Sequence, residues 1–240
     1  MERKTSTWHH GPMAAFDTET TGVDVDTDRI VTAAIWRIDP ASGEKSCRTW
    51  MADPGIPIPE EAARIHGVST EKARAQGRPA SEVVSEIAAE LADVVSSAMP
   101  IVAYNAVYDL TLLDRELTRY GEVLDFNGAL RVIDPLVLDK RIDAYRKGSR
   151  RLADVCAHYQ VPFEGQAHGS EADALAAARL AWRLGATQTE LASMSVDDLH
   201  QAQRTWRAEQ AASLEAYFRR TKDPDTVIER DWPIIPAAGL

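Results

Sequence analysis

The order of apolar runs along the chain predicts an α/β fold on a mixed sheet. Three short apolar or alternating runs come first, at 13–17, 29–39 and 44–52, parted by the turn-like stretches DVDTD and PASG. They suit three antiparallel strands joined as a meander. Runs that read as strand followed by helix come afterwards, the arrangement of α/β sheets.

The elements follow in order. After the Pro-rich stretch 53–69, Val83, Val84, Ile87, Leu91, Val94 and Val95 recur at helical spacing, with Pro79 placed for the first turn. MPIVAYN (99–105) reads as a fourth strand, and Leu110, Leu113, Leu117 and Tyr120 mark the helix behind it. ALRVIDP supplies a fifth strand, so five are expected, and RRLADVCAHYQV and SEADALAAARLAWRLG supply two more helices. Leu199, Ala202, Trp206, Leu214 and Phe218 predict a long amphipathic helix over 195–221, followed by a tail rich in Pro and apolar groups.

Length and composition bound what this fold can be. At 240 residues and 45% hydrophobic content, the chain holds one substantial core and a small appendage. No run approaches the ~18 apolar residues of a membrane span, and the opening residues lack the apolar core of a signal peptide. The expectation is a cytoplasmic protein with no membrane partner. Cys47 and Cys156 are far apart and outside any metal-binding spacing. His9 and His10, beside Trp8, have no acidic or Cys partner nearby and read as an N-terminal extension. A net charge of −10 argues against nucleic acid at first sight, yet Lys140, Arg141, Arg146, Lys147, Arg150 and Arg151 against Asp139 and Asp143 leave a local balance of +4. That segment reads equally as a phosphate track or as an ordinary solvated helix and loop.

Three stretches carry chemistry. In AAFDTETTG an apolar run ends in Asp17, with Glu19 two residues on, so both carboxylates face one side of a strand end. Paired carboxylates repel unless a cation lies between them, and hard cations such as Mg²⁺ take oxygen ligands of this kind. In VAYNAVYDL a strand runs into Asn105, with Asp109 in the opening turns of the next helix. In AHGSEAD, His168 precedes Asp173 by five residues, with Ser170 as a helix cap and Asp173 in capping-box position. Alone, each stretch reads first as an acidic turn, a turn former, a cap or a loop histidine.

Together and in this order, the three stretches resemble the DEDDh (DnaQ-like) family of 3′ to 5′ exonucleases, the group that includes the proofreading epsilon subunit of bacterial DNA polymerase III. The first motif is Asp17-Thr18-Glu19-Thr20-Thr21-Gly22, the second runs from Asn105 to Asp109, and the third pairs His168 with Asp173. IPIPEEAARIHGVS resembles the family's Pro-rich segment, and Tyr108 stands where Phe is commoner. The resemblance implies an RNase H-like exonuclease domain over 13–185, an N-terminal extension over 1–12 and a C-terminal helical extension over 186–240.

It also implies a site. Asp17, Glu19, Asp109 and Asp173 would hold two divalent ions, Mg²⁺ or Mn²⁺, and His168 would act as general base. Thr18, Thr20, Gly22, His66, Val68 and Asn105 would approach the terminal nucleotide, with His66 reading equally as part of a capped turn. The implied activity is release of nucleoside 5′-monophosphates from the 3′ end of DNA, single-stranded or frayed. Two alternatives stay open: trimming of RNA, and service as a polymerase-associated or repair subunit through the C-terminal helix. A third is hydrolysis of small phosphate esters from the nucleotide pool.

Overall fold

The computed structural model describes residues 7–163 and 169–237. The meander forms as expected: β1 (Met13–Thr20), β2 (Ile30–Ile38) and β3 (Lys45–Asp53) pair antiparallel in sequence. Two helices of seven residues, α1 (Glu60–His66) and α2 (Thr70–Gln76), then lead to β4 (Arg78–Pro79). That two-residue strand pairs parallel to β3 and makes the sheet six-stranded rather than five. Neither the Pro-rich stretch that holds α1 nor the short run after it has a sustained period to announce these elements.

Helix α3 (Ala80–Ser96) buries the expected stripe of Val83, Val84, Ile87, Leu91 and Val94. The two strands that follow are shorter than their apolar runs: β5 (Ile101–Val102) and β6 (Val132–Ile133), each parallel to its neighbour, in the order β4-β3-β2-β1-β5-β6. Between them runs α4 (Ala106–Arg119). After β6 come α5 (Pro135–Ile142), α6 (Leu152–His158), α7 (Ser170–Thr187), α8 (Thr189–Ala192) and α9 (Val196–Thr221).

Alternation along β2 shows how the layers divide. Arg37 reaches Glu90 and Asp93 of α3, whereas the Trp36 indole donates to Glu171 O at the start of α7. Successive strand residues face opposite sides, so α3 covers one face and α7 the other. Residues opposite one another in an antiparallel pair share a face. Ala15 lies opposite Trp36, Asp17 opposite Ala34 and Glu19 opposite Thr32, so Asp17 and Glu19 point toward α7.

The outer edge of β6 is closed by side chains. His200 Nδ1 accepts from Val132 N–H, and Gln203 takes Asp134 N–H while donating to Val132 O. Both project from α9, which thereby satisfies an edge that would otherwise expose backbone groups. The chain's first described turn also packs inward: the Trp8 indole donates to Leu191 O at 2.8 Å, and Trp8 and His9 are buried. No described helix is long and apolar enough to cross a membrane.

Candidate active site

The site is built where β1 outruns its neighbour. β5 pairs only with Ala14 and Ala15, so further along β1 the backbone on that side lacks a strand partner. Asp109, in the first turn of α4, fills the gap: its Oδ1 accepts from Thr18 N–H at 3.0 Å and from Thr18 Oγ1 at 2.6 Å. Thr18 therefore holds an acidic side chain at the edge beside Asp17.

The opposite wall comes from α7. Ser170 is its first residue and exchanges a hydrogen bond with Thr32 of β2 at 3.3 Å. The capping role expected of Ser170 falls instead to Gly169, whose backbone carbonyl accepts from Asp173 N–H at 3.0 Å. One turn into the helix, Asp173 faces β1. Ligand oxygens of Asp17, Glu19 and Asp173 all lie within 4.8 Å of one another. Asp109 stands outside that group but acts on it electrostatically.

Burial is the first cause that raises the Asp17 carboxyl well above its usual range, and the charges of Asp109, Asp173 and Glu19 add to it. Glu19 is pushed to about 8, again by burial first and then by Asp173 and Asp109. Asp109 rises to about 7 through burial, with the Thr18 hydrogen bonds pulling the other way. An all-oxygen set of converging carboxylates that repel one another fits hard divalent cations, which would reverse these shifts.

The other expected site residues divide. Thr20 Oγ1 donates to Gly22 O at 2.6 Å, and the Tyr108 hydroxyl donates to the same oxygen at 2.5 Å, so the residue that replaces the commoner Phe ties down the first motif's loop. Gly22 is required by space, since a Cβ there would come within 2.5 Å of the Asp28 carboxylate. His66 ends α1 and, with Thr32, Trp36, Thr49, Met51 and Ser170, lines a cleft of about 570 Å³ beside the carboxylates. Its ring pKa is lowered, chiefly by burial. Val68 is 4% exposed and packs with Val31, Ile58 and Ala73, so its side chain belongs to a small core cluster and only its backbone meets His66. Asn105 adopts the left-handed conformation ahead of α4 and makes no side-chain cap there. His168 lies outside the described residues.

That cap is supplied by a residue the sequence reading passed over. Asp134, 1% exposed, accepts from Asn105 N–H and Ala106 N–H at 3.0 Å and from Leu136 N–H at 2.9 Å, with the Trp232 indole at 3.4 Å. It anchors α4 and caps α5 at once. The signal was available: Asp134 followed by Pro135 is a cap residue with proline at the first helical position. The basic stretch is also partly spoken for, because Arg146 and Arg150 both pair with buried Asp139.

Comparisons with known proteins agree with this architecture. The RNase_T family model, described as "Exonuclease", matches residues 14–181. E. coli exonuclease I in complex with a dA16 oligonucleotide superposes with a TM-score of 0.62 at 20% identity, covering 85% of this chain and 45% of that one. An ExoI/SSB-Ct complex gives 0.61 at 20%, covering 85% and 46%. Exonuclease I from Methylocaldum szegediense gives 0.59 at 19%, covering 86% and 46%. The chain thus spans about half the length of those structures, and at such identity the likeness speaks for the fold. No curated protein matches the chain. The family match runs from the first strand to the helix that carries Asp173, well over half of the sequence, and the chain belongs to this exonuclease family.

Proposed function

We propose that the protein is a metal-dependent 3′ to 5′ exonuclease acting on single-stranded DNA or frayed 3′ ends and releasing nucleoside 5′-monophosphates. One observation carries the reading: ligand oxygens of Asp17, Glu19 and Asp173 converge within 4.8 Å, with Asp109 held at their side by Thr18. Asp17, Glu19, Asp109 and Asp173 would hold two divalent ions, Mg²⁺ or Mn²⁺. When bound, such ions lower the pKa of water and offset charge developing on a phosphate.

The chain's own groups do the remaining work. The cleft bordered by His66, Trp36 and Met51 accommodates the terminal nucleotide, with contacts from the backbone of the loop containing Thr20 and Gly22. Stacking and backbone contacts of this kind accept any base. His168, five residues before Asp173, serves as the base that takes a proton from the attacking water, an assignment that rests on the motif spacing alone. On this reading the exonuclease domain occupies 13–185, with 1–12 and 186–240 as extensions.

The test is digestion of 5′-labelled single-stranded DNA, and of matching RNA, in Mg²⁺ or Mn²⁺, with Asp17→Asn as control. A stepwise 3′ ladder on DNA that the variant loses is expected. A stronger ladder on RNA would reassign the substrate. No ladder on either, from folded protein with metal present, would overturn the reading in favour of a small-ester hydrolase or a partner-dependent subunit.

A further inference from the structure

The groove between α5 and α9 has a chemistry that the carboxylate site does not use. Its inner part is an enclosed pocket of about 150 Å³ bordered by Asn105, Asp134, Lys140, Gln210 and Arg207. Lys140 and Arg207 are both half-buried, and neither forms an ion pair or hydrogen bond among the described residues. Burial lowers the pKa of each, and the charge of Arg207 lowers that of Lys140 further. The acids that act on Lys140 are already engaged: Asp134 accepts from three backbone N–H groups and the Trp232 indole, and Asp139 pairs with Arg146 and Arg150. Glu229 acts on Arg207 only at longer range. Two half-buried cations that repel each other form a preorganised seat for an anion.

The outer part shares Lys140, Gln210 and Leu214 with the pocket and opens to about 450 Å³. Tyr145, 95% exposed, and Tyr217 border it, and the Arg141 guanidinium, paired with Glu190, covers the buried Trp206 ring at 5.1 Å from its centroid. Glu209 is the one acid on this outer lining. Gln210 donates to Val137 O at 3.0 Å and so ties the two walls together. Cations beside exposed aromatic rings are what single-stranded nucleic acid uses, phosphate on the first and base on the second.

The groove's place fits a strand leading to the carboxylates. β1, β5 and β6 are parallel; Asp17 stands two residues past Ala15, which pairs with Val102 at the end of β5, and Asn105 and Asp134 follow the ends of β5 and β6 on the same side. With neighbouring strands ~4.8 Å apart, the pocket sits roughly 10 Å across the sheet edge from β1.

We propose that the α5–α9 groove holds the substrate strand upstream of its 3′ end, with a phosphodiester between Lys140 and Arg207 and a base against Tyr145 or Tyr217. The proposal rests on the exonuclease reading and gives Lys140 and Arg207 the role expected of the whole basic stretch, of which Arg146 and Arg150 are committed to Asp139.

The test compares a labelled oligothymidylate of about 16 nucleotides with an aryl phosphodiester of a single nucleoside, too short to reach the groove. In Lys140→Gln/Arg207→Gln the ratio of kcat/KM for the oligonucleotide to that for the ester is expected to fall about tenfold, through KM. Oligonucleotide affinity in Ca²⁺, read by anisotropy, should lose salt dependence by about 0.7 per phosphate contact removed. Tyr145→Ala, at a side chain too exposed to matter for folding, should weaken the oligonucleotide roughly five- to tenfold. An unchanged ratio and unchanged affinity in both variants would overturn the groove while leaving the carboxylate site standing. Altered inhibition by free nucleoside monophosphate with the oligonucleotide KM unmoved would also overturn it, because the pocket would then serve product alone. If the unmodified protein cleaves neither substrate, the exonuclease reading falls, and the anisotropy alone decides the groove.

Discussion

Two acidic centres lie at the same edge of the sheet; burial raises the carboxyl pKa in both, and they differ in what faces the carboxylates. At the end of β6, Asp134 is surrounded by donors, three backbone N–H groups and an indole, and fixes the starts of α4 and α5. Toward the end of β1, Asp17 and Glu19 face Asp173, and burial together with the neighbouring charges pushes protons onto Asp17 and Glu19. A carboxylate provided with donors is structural glue. Carboxylates that crowd one another in a buried place mark a site where a cation is expected, and the first centre keeps the second in position.

The sharpest way to break this contrast is to neutralise each side. Asp17→Asn should cost about a thousandfold or more in turnover while leaving the metal-free melting temperature equal or higher, read by kinetics and calorimetry. A destabilised Asp17→Asn would place Asp17 with the glue. Asp134→Ala should do the reverse and leave buried N–H groups of Asn105 and Ala106 unsatisfied. A loss of ~3 kcal/mol in urea unfolding is expected.

The pH dependence probes the crowded centre next. Glu19, raised from its usual 4.5 to about 8, keeps its proton in the folded state and loses it in the unfolded one between those values. The unfolded chain then binds fewer protons, so metal-free stability should fall as pH rises from about 4.5 to about 8. Stabilisation by added Mg²⁺ should accordingly be larger at pH 8 than at pH 5.5, as thermal melts at the two values would show. The smallest effect is expected at Tyr108→Phe, which removes the hydroxyl bond to Gly22 O. It should cost ~1 kcal/mol of stability and change turnover only a few-fold.

What the sequence disclosed follows the same division. Asp17 and Glu19 were legible because a strand's alternation puts them on one side, and Asp109 and Asp173 because each opens a helix whose apolar spacing is plain. The meander and the long α9 were legible for the same reason of sustained period. The glue was legible only in part: the Asp134–Pro135 pair announces a cap for α5, but Asp134 meets Asn105 across 29 residues and Trp232 across 98, and no local pattern encodes such a meeting. His200 and Gln203 lay outside the apolar stripe expected of α9, yet they are what close the edge of β6. Leu214, counted in that stripe, is 41% exposed and borders the groove instead.

The Trp232 contact also sets an order of events on the ribosome. Asp134 receives its indole donor from a residue made 98 positions later, and Ile235 N–H and the carbonyls of Ile235 and Pro236 engage Thr111 and Arg115 of α4 from the same segment. At ~5–20 residues per second that interval is roughly 5–20 s. The nascent chain therefore carries all four acidic residues before the helix that bears Asp109 is fastened, and the edge is completed only when the tail has been synthesised.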